Sequence, residues 1–255
     1  MKNRIKYFAF LLLVVVSCLV NAQNLPSVQK ISVAAPTNVK IDGKATEWQY
    51  QAFSNATDFF YTIANDANNL YIIINTNYEV SAQKIVAGSI TFTFSSDDKN
   101  NKITPVILSY PKMTAMSSQG VSNTLRENPT NEAIIALDKR LNDNTKEIPV
   151  TGIKEITEPA ISVYNELGIK TAQHIDDKKT YTIEMAIPLK YLKDVINSAG
   201  AFNYKFLVNG LSGSGTRVFG GSNLNAEPTD APVAHGGANY LMAPTYLSAS
   251  YTLAK

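Results

Sequence analysis

The sequence predicts an all-β fold, two antiparallel sheets packed as a β-sandwich with one or two short helices. Three observations carry that expectation. Short apolar segments recur between polar turns through most of the chain. Several alternate apolar and polar residues with a period of two, the mark of a half-buried strand. Helical segments do not recur between them, so a parallel α/β arrangement is not expected.

The first 22 residues stand apart. Lys2, Arg4 and Lys6 precede an almost unbroken apolar run at 7–20, and Val20-Asn21-Ala22 puts small residues where signal peptidase cuts. The run is about 14 residues long, whereas roughly 20 are needed to cross a hydrocarbon core. Residues 1–22 are therefore expected to be a signal peptide. The mature chain, without a transmembrane segment, would reach the periplasm, cell surface or extracellular space. Val15-Val16-Ser17-Cys18 also reads as a lipobox, in which Cys18 would carry a lipid anchor. Cys18 is the single cysteine, so cleavage after Ala22 leaves no disulfide or thiol chemistry.

Residues 23–255 form one expected domain. At about 230 residues it can bury roughly 70% of its unfolded surface without covalent staples. The chain has 23 basic and 21 acidic residues. Three of the basic ones belong to the export segment, which leaves 20 against 21 and a net charge near −1. The clustered basic stripe that nucleic acid requires is absent, so no nucleic-acid partner is expected.

Along the domain, residues 28–35 partly alternate, and 39–41 run into Asp42-Gly43, where glycine supplies the positive φ of a turn. Segments 59–64 and 70–76 flank a five-residue polar loop, 65–69, and read as a hairpin. Residues 89–95 alternate strictly, with Ile90, Phe92 and Phe94 on one face. Residues 103–110 return, and Pro105 puts that strand near an edge or bulge. The pattern lapses in an irregular excursion at 113–147. There Ile134, Leu137 and Leu141 have helical spacing behind Asn131 as a cap. Strands resume at 161–164, 168–173 and 181–187. Pro188 then starts a second short helix with Leu189, Leu192, Val195 and Ile196. Residues 201–208 and 240–253 close the fold around a long Gly/Ser-rich loop at 209–239.

Several segments together resemble a known group. Ile41-Asp42-Gly43-Lys44-Ala45-Thr46-Glu47-Trp48, the hairpin from Asn65-Asp66 through Ile74, and Glu184-Met185-Ala186-Ile187-Pro188-Leu189 are similar to carbohydrate-binding module family 9 and its DOMON-like relatives. Lys84-Ile85 and Gly88 look like a subgroup found in secreted proteins of Bacteroidota. The resemblance spans roughly 41–210. It implies a β-sandwich with immunoglobulin-like layering, often secreted or attached to larger polysaccharide-handling enzymes, and in some members structural calcium. It also implies structural roles for Gly43, Trp48, Glu184 and Pro188. Family 9 modules clamp a terminal sugar between two tryptophans, and Trp48 is the single tryptophan here.

Enzyme chemistry has little to stand on. His174 and His235 lack metal-ligand spacing, and Gly213-Ser214-Gly215 lacks the strand-to-helix context of a nucleophile elbow. The acids cluster in turns, where water keeps them ordinary, so a raised carboxyl for glycoside hydrolysis is not expected. Asp42, Glu47 and Asp66 sit on turns. They read either as caps bonded to nearby backbone or as oxygen ligands for calcium. Glu184 reads as a solvent-facing acid or as one bonded to a neighbouring strand or the opening loop. Sugar rings stack on aromatic faces while their hydroxyls take polar partners. Tyr61, Tyr71, Tyr78, Tyr110, Tyr164 and Tyr204 either place rings on an open sheet face or line the core and its rim, and of these Tyr61, Tyr71, Tyr110 and Tyr204 are the candidate ligand-binding residues. Arg217 joins them, because its rigid fork can hold hydroxyls or carboxylates. The function expected is a secreted non-catalytic binding module for carbohydrate or another envelope ligand. The alternative is a structural or protein-interaction subunit of a surface assembly, with the excursion as its contact.

Overall fold

The computed structural model describes residues 25–98, 103–113, 120, 123–125, 127, 129–210, 229–230 and 238–255. The export segment with Cys18, together with Arg217 and His235, lies outside the described residues.

Two antiparallel sheets form the fold. Sheet A has the order β1-β2-β3-β9-β8, built from β1 (Ala52–Ser54), β2 (Phe59–Asn65), β3 (Asn69–Thr76), β8 (Lys170–Ile175) and β9 (Tyr181–Pro188). Sheet B has the order β11-β10-β4-β5-β6-β7, from β4 (Ile90–Ser95), β5 (Val106–Tyr110), β6 (Glu147–Thr151), β7 (Ala160–Ser162), β10 (Ala201–Val208) and β11 (Thr245–Thr252). Helix α1 (Glu79–Gly88) carries the chain from sheet A to sheet B, α2 (Asn131–Asn144) interrupts sheet B, and α3 (Ala238–Met242) precedes β11. Among the described residues, no helix is long and apolar enough to cross a membrane.

Alternation builds the core. On β4 it turns Ile90, Phe92 and Phe94 inward, and on β10 it turns Phe202, Tyr204, Phe206 and Val208 inward. These residues meet Tyr61, Ile63, Leu70, Ile72 and Ile183 of sheet A in one cluster. Each large apolar side chain so buried contributes roughly 1.5–3 kcal/mol. The Tyr61 and Tyr204 hydroxyls, one from each sheet, meet at 3.0 Å, and Tyr61 stands edge-on to Phe206. Residues of both sheets therefore share that core.

Sheet A has a second buried face. Ala64, Tyr71, Ile73 and Ala186 point away from the core and are covered by the N-terminal segment, through Ala45 and Trp48 with Val33, Val39 and Ile41 packed beside them. Coverage on both sides is why β2 and β9 are buried almost throughout instead of alternating between core and solvent. The same segment completes the open edge of β2. The Gln29 side-chain amide accepts from Ile63 N–H and donates to Ile63 C=O, both at 2.8 Å, in place of a neighbouring strand.

The structure differs from the sequence expectation in several places. Residues 28–35 make only a bridge, Ala34 to Asn65, and otherwise run along the edge of β2 as part of the strap. The hairpin loop is shorter than expected, since Asn65 and Asn69 both belong to strands. Helix α1 was not expected at all. Thr130, not Asn131, caps α2, accepting from Ala133 N–H at 3.3 Å. Pro105 sits just ahead of β5, a strand paired on both sides, so the ladder needs nothing from its missing N–H. After Pro188 the chain makes a 3₁₀ turn, Leu189–Tyr191, and further turns instead of a regular helix.

Candidate functional site

Four of the singled-out residues assemble into one buried staple. Glu184 on β9 is wholly buried and lies under the N-terminal strap. Its Oε2 accepts from Asp42 N–H at 2.9 Å and Gly43 N–H at 2.7 Å, and its Oε1 accepts from the Trp48 indole at 3.1 Å. Gly43 makes the approach possible. Its φ is +82°, and a Cβ there would stand 2.6 Å from the backbone carbonyl carbon of Gln173. Burial raises the Glu184 pKa, opposed by the Gly43 and Asp42 bonds, and the nearby charges of Glu47 and Asp42 add to the rise. Of the two sequence readings for Glu184, the bonded one holds and the solvent-facing one does not. Pro188 ends the same strand opposite Asn69 and opens the 3₁₀ turn.

The turn acids cap. Asp42 Oδ1 accepts from Lys44 N–H at 3.0 Å, and Glu47 Oε1 from Lys40 N–H at 2.8 Å. Asp66 accepts from Asn68 and Asn69 N–H and from the Tyr71 hydroxyl, each at 2.7 Å. Among the described residues, no three acids, histidines or cysteines gather as a metal ligand set. Asp42, Glu47 and Asp66 thus each accept from nearby backbone, the capping arrangement of the two sequence readings.

The tyrosines are placed differently from the open-face expectation. Tyr61 and Tyr204 are core residues, bonded to each other. Tyr71 lies under the strap with its ring 5.7 Å from Trp48. Tyr110 is buried too, but it forms part of the wall of a surface groove. Burial pushes its hydroxyl well above the usual tyrosine range, with Thr171 beside it pulling the other way and the Tyr164 charge adding to the rise.

That groove has a volume of about 460 Å³ and is shared by the end of α2, the loop after β7 and the start of β8. Its outstanding feature is Tyr164, which is 76% exposed. A wired loop holds the ring out. Tyr164 N–H donates to Ser162 Oγ at 3.1 Å, and the Asn165 amide spans the loop to Ser162 C=O and Ile169 C=O, both at 2.8 Å. Lys146 Nζ braces the Tyr164 hydroxyl at 3.2 Å from one side. Behind the groove a buried chain runs from Tyr181 through Gln173 to Thr145 and the Leu141 carbonyl. Asn142, Lys170 and Thr171 supply polar groups along the wall. An exposed ring beside amide, ammonium and hydroxyl groups can take an amphipathic ring, apolar face against the aromatic and polar edge along the wall. Tyr164 is one of the six tyrosines that the sequence offers for an open face, and its exposure comes from the loop.

A second polar cluster lies inside. Lys84 on α1 is fully buried, donates to Thr245 Oγ1 at 2.9 Å and stands 4.5 Å from the Tyr240 ring centre. Ser81, one turn earlier, exchanges a 2.8 Å bond with the Tyr240 hydroxyl. Burial brings the Lys84 pKa down to about 8, opposed by the charge of Asp58.

No protein-family model matches this chain, and no curated protein sequence matches it significantly.

Proposed function

We propose that the chain is an exported, non-catalytic binding module, similar to family 9 carbohydrate-binding and DOMON-like domains, that takes a glycan or a related envelope component in the Tyr164 groove. The observation that carries this reading is the three-quarters exposed Tyr164 ring, held by its loop beside a groove lined with hydrogen-bonding groups. The segment from Lys2 to Ala22 supports export. Calorimetric titration of residues 23–255 against a broad glycan panel, with and without calcium, tests the proposal. Binding that is lost in Tyr164→Ala supports it. Silence at millimolar ligand, in both conditions, sinks it.

A second reading, a subunit that docks on another surface protein, has its own observation. Ile135 on α2 is 71% exposed at the rim of a groove of about 430 Å³ that also holds Asp138, Asp176 and Asp177. Pull-down from the outer-membrane fraction should then recover a partner that Ile135→Asp loses. Equal recovery with both proteins would end this reading.

A further inference from the structure

A separate cleft of about 550 Å³ opens where the turn after β6 meets the 3₁₀ turn after β9. One wall depends on Gly152, at φ +83°. A Cβ there would stand 1.9 Å from the Pro105 carbonyl oxygen, so only glycine lets this turn lie against the start of β5. That approach places Ile153, 4% exposed, in the lining. The other wall brings Tyr191, whose hydroxyl is anchored to the Leu167 carbonyl at 3.2 Å, with Lys190 and Lys193. Lys154 Nζ reaches Asp194 at 2.7 Å and ties the two walls.

The charges are uneven. Asp194 is bonded to Lys154, with Glu155 also acting on that lysine and Lys193 acting on Asp194. Lys190 lies 4.7 Å from the Tyr191 ring centre, and among the described residues it is in no ion pair. Three ammonium groups thus face two carboxylates around a lining that includes Ile153, Val106 and Tyr191. Such a surface suits a ligand that is anionic at one edge and apolar on one face.

We propose that this cleft binds an acidic sugar unit, its carboxylate at Lys190 and Lys193. The inference rests on the glycan reading for its ligand class but uses a different set of residues. The test compares tetragalacturonate, its fully methyl-esterified counterpart and inorganic phosphate, on residues 23–255, the Lys190→Gln/Lys193→Gln variant and Tyr164→Ala. Both lysines are surface residues, so the double variant should fold. Expected is binding of the acidic oligomer that weakens with salt, drops at least about fivefold in the double variant and on esterification, and persists in Tyr164→Ala. Phosphate should not compete. Equal binding of the ester, an unchanged double variant, or full competition by phosphate would each overturn the proposal. Loss in Tyr164→Ala alone would also overturn it while leaving the Tyr164 groove standing.

Discussion

The Trp48 indole donates a 3.1 Å hydrogen bond to Glu184, a carboxylate with no exposed surface, and so fixes the N-terminal strap to the middle of sheet A. Asp42 and Gly43 N–H bind the other oxygen. Removing the acceptor leaves three donors under the strap without a partner. The Gly43 N–H and the Trp48 indole are buried there, and each such orphan costs about 1–3 kcal/mol, so Glu184→Ala should lose at least about 2 kcal/mol in urea unfolding. Glu184→Gln keeps one acceptor oxygen and should lose less. Trp48 is the single tryptophan, so its fluorescence follows the strap directly.

Gly43→Ala should release the same strap by another route. The added methyl meets the Gln173 backbone, and the backbone at φ +82° disfavours any side chain. Destabilisation of about 2 kcal/mol or more is expected, together with faster amide exchange at Asp42 and Gly43. A variant as stable as the parent would contradict the close approach.

Tyr61→Phe should cost more than Tyr204→Phe. The Tyr61 hydroxyl serves both Gln29 N–H and the Tyr204 hydroxyl, each at 3.0 Å, and so links the strap, sheet A and sheet B. Losing it orphans two groups, at about 1–3 kcal/mol each. Paired thermal melts of the two variants decide the order.

Lys84 gives the fold a pH dependence whose sign is fixed. Its folded pKa is lowered to about 8 from 10.5. Between those values the unfolded chain holds the proton that the folded chain has lost, so stability rises with pH across the window. The gain can reach roughly 3 kcal/mol over the full window. Burial raises Tyr61, Tyr204 and Tyr240, which oppose the gain once free tyrosine ionises near 10. The rise should therefore be clearest between about pH 8 and 9.5, and Lys84→Met should abolish it in denaturant titrations.

Much of the fold is legible in the sequence because sheet B keeps one face in solvent. Alternation in β4 and β10 exposes their strand character, but Tyr204, offered as a ligand contact, shares the parity of Phe202 and Phe206 and lies in the core. Sheet A is harder to read. Its β2 is buried on both faces, so nothing in its pattern tells whether Tyr61 points to the core or outward. Helix α1 escapes for a similar reason. Ser81 to Val86 are all buried, so the polar Ser81, Gln83 and Lys84 do not mark a solvent face. The Glu184 staple joins residues 136–142 positions apart, and only the fold brings them together. Tyr164 is exposed because of loop hydrogen bonds from Asn165, a type of contact that leaves no periodic trace.

The most direct test of the glycan reading is amide chemical-shift mapping of ¹⁵N-labelled residues 23–255 during titration with neutral oligosaccharides. The account expects perturbations concentrated at Asn142, Thr145, Tyr164, Lys170 and Thr171, saturating with ligand and absent in Tyr164→Ala. Perturbations that leave these residues untouched, or that persist unchanged in Tyr164→Ala, would contradict it.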